Sequence, residues 1–84
     1  MSAWHEQRRV AKERRSAIWE ALPDPYAKGV DSSRLQGLTF HQVAKMIDAP
    51  SAKVASLLSS MYWYDYTERA GPPWRYRRGA KKPA

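Results

Sequence analysis

The chain has 84 residues, no cysteine, and 15 lysines and arginines against eight aspartates and glutamates, for a net charge of +7. This length allows one small domain, and the lack of cysteine excludes disulfides and thiolate metal sites. The two histidines are too few and too far apart to suggest a zinc site, so we expect no metal and no cofactor. No apolar run approaches the roughly 20 residues that span a bilayer, and no secretion signal is evident. We therefore expect a cytoplasmic protein without membrane contact.

The excess positive charge is concentrated toward the C-terminus. Residues 62–84 hold six basic and two acidic side chains, against five and three in residues 1–22 and four and three in residues 23–61. A basic domain with its charge gathered at one end favours a polyanionic partner, most often nucleic acid. The same charge also serves plain solubility, and that interpretation stays open.

Residues 3–22 are predicted to form the first helix, which Pro23 and Pro25 end. Its apolar residues are spaced largely by seven and form one stripe. The stripe leaves open a homodimer through Ala3, Trp4, Val10, Ala11 and Ile18. Five basic side chains crowd the middle of this helix, either as a solvated face or as phosphate contacts.

Residues 23–38 are rich in proline, glycine, aspartate and serine and are predicted to be a connector, with room for one short strand at 34–38. The sequence "TFHQ" then forms a capping box, in which Thr39 caps the free amides and Gln42 reaches back. Apolar spacing predicts a second helix at about 40–47 and a recognition helix at about 50–61, with Pro50 at the first position of the latter. Two short amphipathic helices joined in this way form a helix-turn-helix.

The hydrophobic period changes to two after residue 61, which predicts a β-hairpin, or wing, at about 63–77 around the turn "AGPP". The alternation predicts one aromatic face with Tyr64, Tyr66, Trp74 and Tyr76. The opposite face is predicted to carry Asp65, Thr67, Arg69, Arg75 and Arg77. A lone hairpin is barely stable, so its aromatic face is expected to pack on the helices. The basic tail at 79–84 is predicted to be disordered.

These elements predict one α+β, mostly helical domain at 1–78, a winged helix-turn-helix of three helices and a C-terminal β-hairpin wing. The residues expected to build its core and wing are Val54, Leu57, Leu58, Met61, Tyr64, Tyr66, Pro72, Pro73 and Trp74.

Residues 39–78 resemble the winged helix-turn-helix superfamily of DNA-binding domains. The stretch "TFHQVAKMIDAPSAKVASLLSSM" is similar to its second and third helices, and "ERAGPPWRY" resembles the wing of the Z-alpha branch, where Pro72, Pro73 and Trp74 match the branch motif. That branch relies on an asparagine and a tyrosine in the recognition helix, and this chain has Ala55 and Ser59 there. The resemblance implies the fold and not the left-handed duplex ligand.

The sequence predicts a small protein that binds duplex DNA through its recognition helix and basic wing. Its expected role is to regulate transcription or a phage or mobile element, in the cytoplasm of a bacterial or phage-infected cell or in association with the nucleoid. The expected contacts are Ser51, Ala52, Lys53, Ser56, Ser59, Arg69, Arg75, Arg77, Arg78, Lys81 and Lys82. The recognition face lacks arginine, asparagine and glutamine, so sequence specificity should be modest or depend on DNA shape. No catalytic constellation is visible, and we expect no enzymatic activity. The alternative is a winged-helix adaptor or inhibitor that binds a host protein through the small alanine and serine face.

Overall fold

Three helices are followed by one antiparallel hairpin. The computed structural model describes residues 3–83, with side chains from residue 6 onward. The helices are α1 (Ala3–Ala21), α2 (Phe40–Ile47) and α3 (Ser51–Trp63), and the strands are β1 (Thr67–Ala70) and β2 (Arg75–Arg78). The predicted α+β, mostly helical fold is confirmed. Within this described range, no helix has the length and apolar character needed to cross a bilayer.

The helix-turn-helix begins with the capping box that the sequence predicts. The Thr39 hydroxyl accepts a hydrogen bond from the Gln42 amide at 3.3 Å, and the Gln42 side-chain oxygen accepts one from the Thr39 amide at 2.8 Å. Asp48 ends α2 in the left-handed conformation, with φ of 54° and its amide bonded to the Ala44 carbonyl. Pro50 lies at the N-cap of α3, one position before the predicted one.

The core lies between the three helices and the hairpin. Its buried residues are Ile18, Leu22, Val43, Ala44, Val54, Leu58, Met61 and Tyr76. The inward positions expected for Val54, Leu58 and Met61 are confirmed, while Leu57 is half-buried against this cluster. Ile18 is wholly inside the core, so it cannot contribute to a dimer seam. Of the other residues suggested for that seam, Val10 is exposed, Ala11 is half-buried, and the side chains of Ala3 and Trp4 lie outside the described ones.

The faces of the hairpin differ from the prediction. Thr67 pairs with Arg78, and Arg69 pairs with Tyr76. Directly opposed residues of an antiparallel pair point to the same face, so these four point toward the helices where Tyr76 is buried. Assigning Thr67 and Arg69 to the outer face was wrong, because α3 runs on to Trp63 and the strand begins only at Thr67. Asp65 in between adopts φ of 64°, which interrupts the alternation assumed from residue 62.

Two of the aromatic residues expected in the core are exposed instead. The Tyr64 side chain follows the end of α3 and is 63% exposed, and Trp74 lies in the turn between the strands and is 49% exposed. Only Tyr66 and Tyr76 of the predicted aromatic face pack on the core. Pro72 and Pro73 are exposed in the same turn as Trp74, and the peptide bonds before both are cis.

The connector adds one bridge to the hairpin where a short strand was expected. The Leu38 amide donates to the Tyr76 carbonyl at 2.8 Å, and the Tyr76 amide donates to the Leu38 carbonyl at 2.7 Å. Gly37 lies so close to β2 that a Cβ there would be 2.5 Å from the Tyr76 carbonyl oxygen and 2.7 Å from its amide nitrogen. Only a glycine fits this approach, since the obstructing atoms belong to the main chain.

Replacing Gly37 with alanine is therefore expected to lower the free energy of unfolding by about 1–3 kcal/mol, as overpacking does. Urea denaturation followed by circular dichroism measures the change. The control is Gln36→Ala, one residue earlier on an exposed side chain, which should unfold like the natural protein. Equal midpoints for the two variants would show that the connector does not hold the hairpin at this point.

The tail, predicted to be disordered, contacts the rest of the domain at three of its residues. The Gly79 amide bonds to the Tyr66 carbonyl at 2.9 Å, and Pro83 is buried. The Lys82 ammonium lies 3.8 Å from a Glu20 carboxylate oxygen and 5.6 Å from the Trp19 ring centroid. Ala80, Lys81 and Lys82 are exposed.

Candidate nucleic-acid interface

The outward surface of α3 is a stripe of small side chains that ends in a large one. Ala52, Ser56 and Ser59 are exposed, and Trp63 is 82% exposed. Their spacing of four, three and four residues places them on one face of the helix. We call these four residues the α3 stripe. Ser51, another expected contact, is half-buried at the start of the helix.

Cations from α1 flank this stripe on one side. A groove of about 490 Å³ between α1 and α3 is lined by Val10, Arg14, Lys53 and Ser56 among others. Arg15 lines the neighbouring groove together with Ser60 and Tyr64. Glu6 also borders the first groove, but its carboxylate is paired with Arg9 at 3.0 Å. The middle of α1 therefore supplies positive charge beside α3. The sequence alone left open whether these basic side chains form a solvated face or contact phosphate.

The hairpin flanks the stripe on the other side. A groove of about 400 Å³ lies between α3, the start of α2 and the hairpin turn, and its lining includes Phe40, Ala55, Ser59 and Trp74. Ala55 and Ser59 leave this groove open because their side chains are short. The α3 surface is thus a shallow path of small residues between two raised borders.

Arg69 is held at the hairpin border by two aromatic rings. Its guanidinium carbon lies 4.0 Å from the Tyr62 ring centroid and 4.4 Å from the Trp74 ring centroid. Such contacts stabilise a cation by about 0.5–2 kcal/mol each while leaving its charge in place. We call Tyr62, Arg69 and Trp74 the Arg69 sandwich. Trp74 thus contacts Arg69 from the surface instead of filling the core.

Arg75 lies on the outer face of the hairpin, next to the turn. Among the described residues it makes no ion pair and no hydrogen bond, and it lines a cleft of about 510 Å³ with Ser32, Ser33 and Gly37. Its guanidinium is accordingly available to an external anion. Lys81 is exposed in the tail and likewise has no ion-pair partner in the described part of the chain.

Arg77, in contrast, fastens the connector to the hairpin. Its Nε donates to Glu68 at 2.9 Å, and one terminal nitrogen donates to the Ser32 carbonyl at 2.9 Å. The Tyr26 hydroxyl donates to the other oxygen of Glu68. This hydrogen bond is the main reason why the pKa of Tyr26 lies above its ordinary value. The charge of Arg77 is thus paired within the fold, and the phosphate contact expected of it stays a prediction.

Arg78 is used within the fold as well. Its Nε donates to the Trp19 carbonyl and a terminal nitrogen donates to the Glu20 carbonyl, both at 2.8 Å. Its guanidinium carbon lies 4.4 Å from the Trp19 ring centroid, and Glu20 and Asp24 are ion-paired with it at 3.6 Å. A cation at this place satisfies carbonyls that the end of α1 leaves free. Arg78 thereby joins the last strand to the first helix.

The structure thus divides the expected DNA contacts into two groups. Lys53, Arg69 and the α3 stripe lie together at one surface, with Arg75 at the adjoining turn. Arg77, Arg78 and Lys82 have partners inside the chain. Sequence reasoning left open whether Arg14 and Arg15 contact phosphate, and it did not place Trp63 at this surface. The signal for Trp63 was its continuation of the α3 spacing, visible only once the helix is extended past Met61.

Comparison with protein-family models, with curated proteins and with solved structures finds no match to this chain. Among the described side chains, those of residues 6–83, no group of three or more histidine, aspartate or glutamate residues could hold a metal ion. The interpretation of the surface therefore rests on its own geometry and charge.

Proposed function

We propose that this chain is a small DNA-binding protein that holds duplex DNA on the α3 stripe. The observation that carries the proposal is the bordering of this stripe by Arg14, Arg15 and Lys53 on one side and by Arg69 on the other. Small side chains let a helix approach the base edges closely, and cations at its borders meet the phosphates on either side of a groove. The expected role in regulating transcription or a phage or mobile element rests on this binding.

The stripe carries little of the chemistry that reads base sequence. Serine hydroxyls form hydrogen bonds to phosphates and to several base edges alike, and alanine offers only an apolar contact to the methyl group of thymine. The side chains that form bidentate hydrogen bonds to guanine or adenine are arginine, lysine, asparagine and glutamine. None of the four residues of the α3 stripe is of these types. We therefore propose that affinity comes mainly from phosphate contacts and that specificity is modest or depends on DNA shape.

A salt titration of binding to random duplex DNA tests this function. Six cations near the surface or in the tail have no ion pair among the described residues, namely Arg14, Arg15, Lys53, Arg69, Arg75 and Lys81. If all six meet phosphates, the slope of log K against log salt should be about −5. Fluorescence anisotropy from 50 to 300 mM salt measures it, with about one unit of slope assigned to each contact. A slope near −1, or no binding at low salt, would contradict the proposal.

The second candidate function is the protein-binding adaptor. One observation favours it: the 82% exposure of Trp63 beside small residues, since tryptophan is enriched at the centres of protein interfaces. An adaptor would show no salt-dependent DNA binding in the titration above. It would also lose its partner on Ser56→Glu, because a carboxylate would then stand within an apolar contact.

A further inference from the structure

Exposed aromatic rings gather at the C-terminal end of α3. Trp63 is 82% and Tyr64 63% exposed, Tyr62 is 38% exposed, and Trp74 of the hairpin shares the Arg69 guanidinium with Tyr62. Large exposed apolar side chains that lie close together in the chain mark a candidate binding site. None of these rings is needed to fill the core, which closes around Met61 and Tyr76.

The surroundings of these rings are cationic, which favours nucleic-acid bases over apolar protein side chains as their ligand. Arg69 lies between two of the rings, and Arg15 lines the same groove as Tyr64. Tyr64 in turn stacks on Tyr66, with ring centroids 5.9 Å apart. The acidic residue in this segment, Asp65, is outnumbered by the two arginines. Aromatic faces with arginines beside them are the chemistry that binds unpaired bases and their phosphates.

The position of Trp63 restricts which bases can reach it. Trp63 is the last member of the α3 stripe, so DNA that the bordering cations hold over the stripe extends toward the Trp63 ring. Within a paired duplex the base faces are covered by their neighbours, and only the edges are open in the grooves. A base must be unpaired and unstacked to lie on the indole.

We propose that Trp63 stacks on an unpaired base, so that the ligand of this surface is a junction at which duplex DNA gives way to a single strand. The proposal rests on the proposed function for the duplex part and adds the single-stranded part. The cations hold the paired region, and Trp63, which directly follows Tyr62 of the Arg69 sandwich in the chain, receives the first base beyond the pairing.

The test compares three labelled DNAs of shared sequence at one salt concentration: a blunt duplex, the same duplex with a five-nucleotide overhang, and the single strand. The natural protein should bind the overhang duplex about 5- to 100-fold more tightly than the blunt duplex, the factor that one stacked base contributes. Trp63→Ala should remove this preference, so that the blunt and overhang duplexes bind this variant equally, whereas Trp63→Phe should keep most of the preference. The matched control is Met46→Ala, which removes another exposed apolar side chain, from α2, and should keep all of the preference.

The outcomes separate this inference from the proposed function. Equal affinity of the natural protein for blunt and overhang duplexes, or a preference that survives Trp63→Ala, would overturn the junction proposal while duplex binding stands. Failure of all three DNAs to bind would overturn both proposals and leave the exposed indole to a protein partner. Tight binding of the single strand alone, lost on Trp63→Ala, would support stacking and overturn the duplex function.

Discussion

Replacing Arg78 with methionine is expected to lower the free energy of unfolding by about 2–4 kcal/mol. The substitution keeps an apolar stem but removes two charge-assisted hydrogen bonds to the Trp19 and Glu20 carbonyls, each worth about 1.5–3 kcal/mol before relaxation. The side chain is only 19% exposed, so water replaces these bonds incompletely. Urea denaturation measures the loss, and the same titration on Arg75→Met is the control, because Arg75 lies on the same strand without a partner among residues 6–83. That control should change by less than about 0.5 kcal/mol.

DNA binding by the folded fraction of Arg78→Met decides between the two roles considered for this arginine. Measured at a temperature where the variant is folded, its affinity should fall no more than that of Arg75→Met. A larger fall together with unchanged stability would show that Arg78 contacts phosphate, as its place in the basic C-terminal segment suggested, and that its contacts to the end of α1 add nothing.

The parts of the fold that depend on neighbouring residues were predictable from the sequence. The capping box needs only Thr39 and Gln42, three residues apart, and it formed as predicted. The inward faces of α2 and α3 follow from helical spacing, which buries Val43, Val54 and Leu58. The order of helix, helix and hairpin follows from the change of period after α3.

The faces of the hairpin were not predictable in the same way. Side chains alternate between the two faces of a strand, so an error of one residue in where the strand begins moves its side chains to the opposite face. Asp65, in the left-handed conformation, interrupts this alternation just before β1. The partners of the arginines were also beyond sequence spacing, because a long side chain can reach residues far away in the chain. Arg78 bonds to a carbonyl 59 positions earlier, and Arg77 to one 45 positions earlier. Part of the positive charge in the basic C-terminal segment, that of Arg77 and Arg78, is therefore paired within the fold.

Reversing two charges at the border of the α3 stripe should have the largest effect on DNA affinity. Arg14 and Lys53 line the same groove from different helices, so the double variant Arg14→Glu/Lys53→Glu changes one surface by four charge units. A unit charge about 4 Å from a phosphate in water contributes about 1 kcal/mol, and reversal turns that attraction into repulsion. We expect affinity for duplex DNA to fall about 100-fold or more at 50 mM salt, with the difference shrinking as salt rises. Anisotropy titration measures it.

The control for this reversal must carry the same change in net charge at another place. Lys12→Glu/Lys28→Glu does so, because Lys12 lies on a part of α1 that borders neither groove beside α3, and Lys28 lies in the connector. Equal losses for the two double variants would mean that net charge alone attracts DNA and that no particular surface receives it. A selective loss in Arg14→Glu/Lys53→Glu would instead make α1 a border of the binding surface, a role that the winged-helix resemblance, confined to residues 39–78, does not imply.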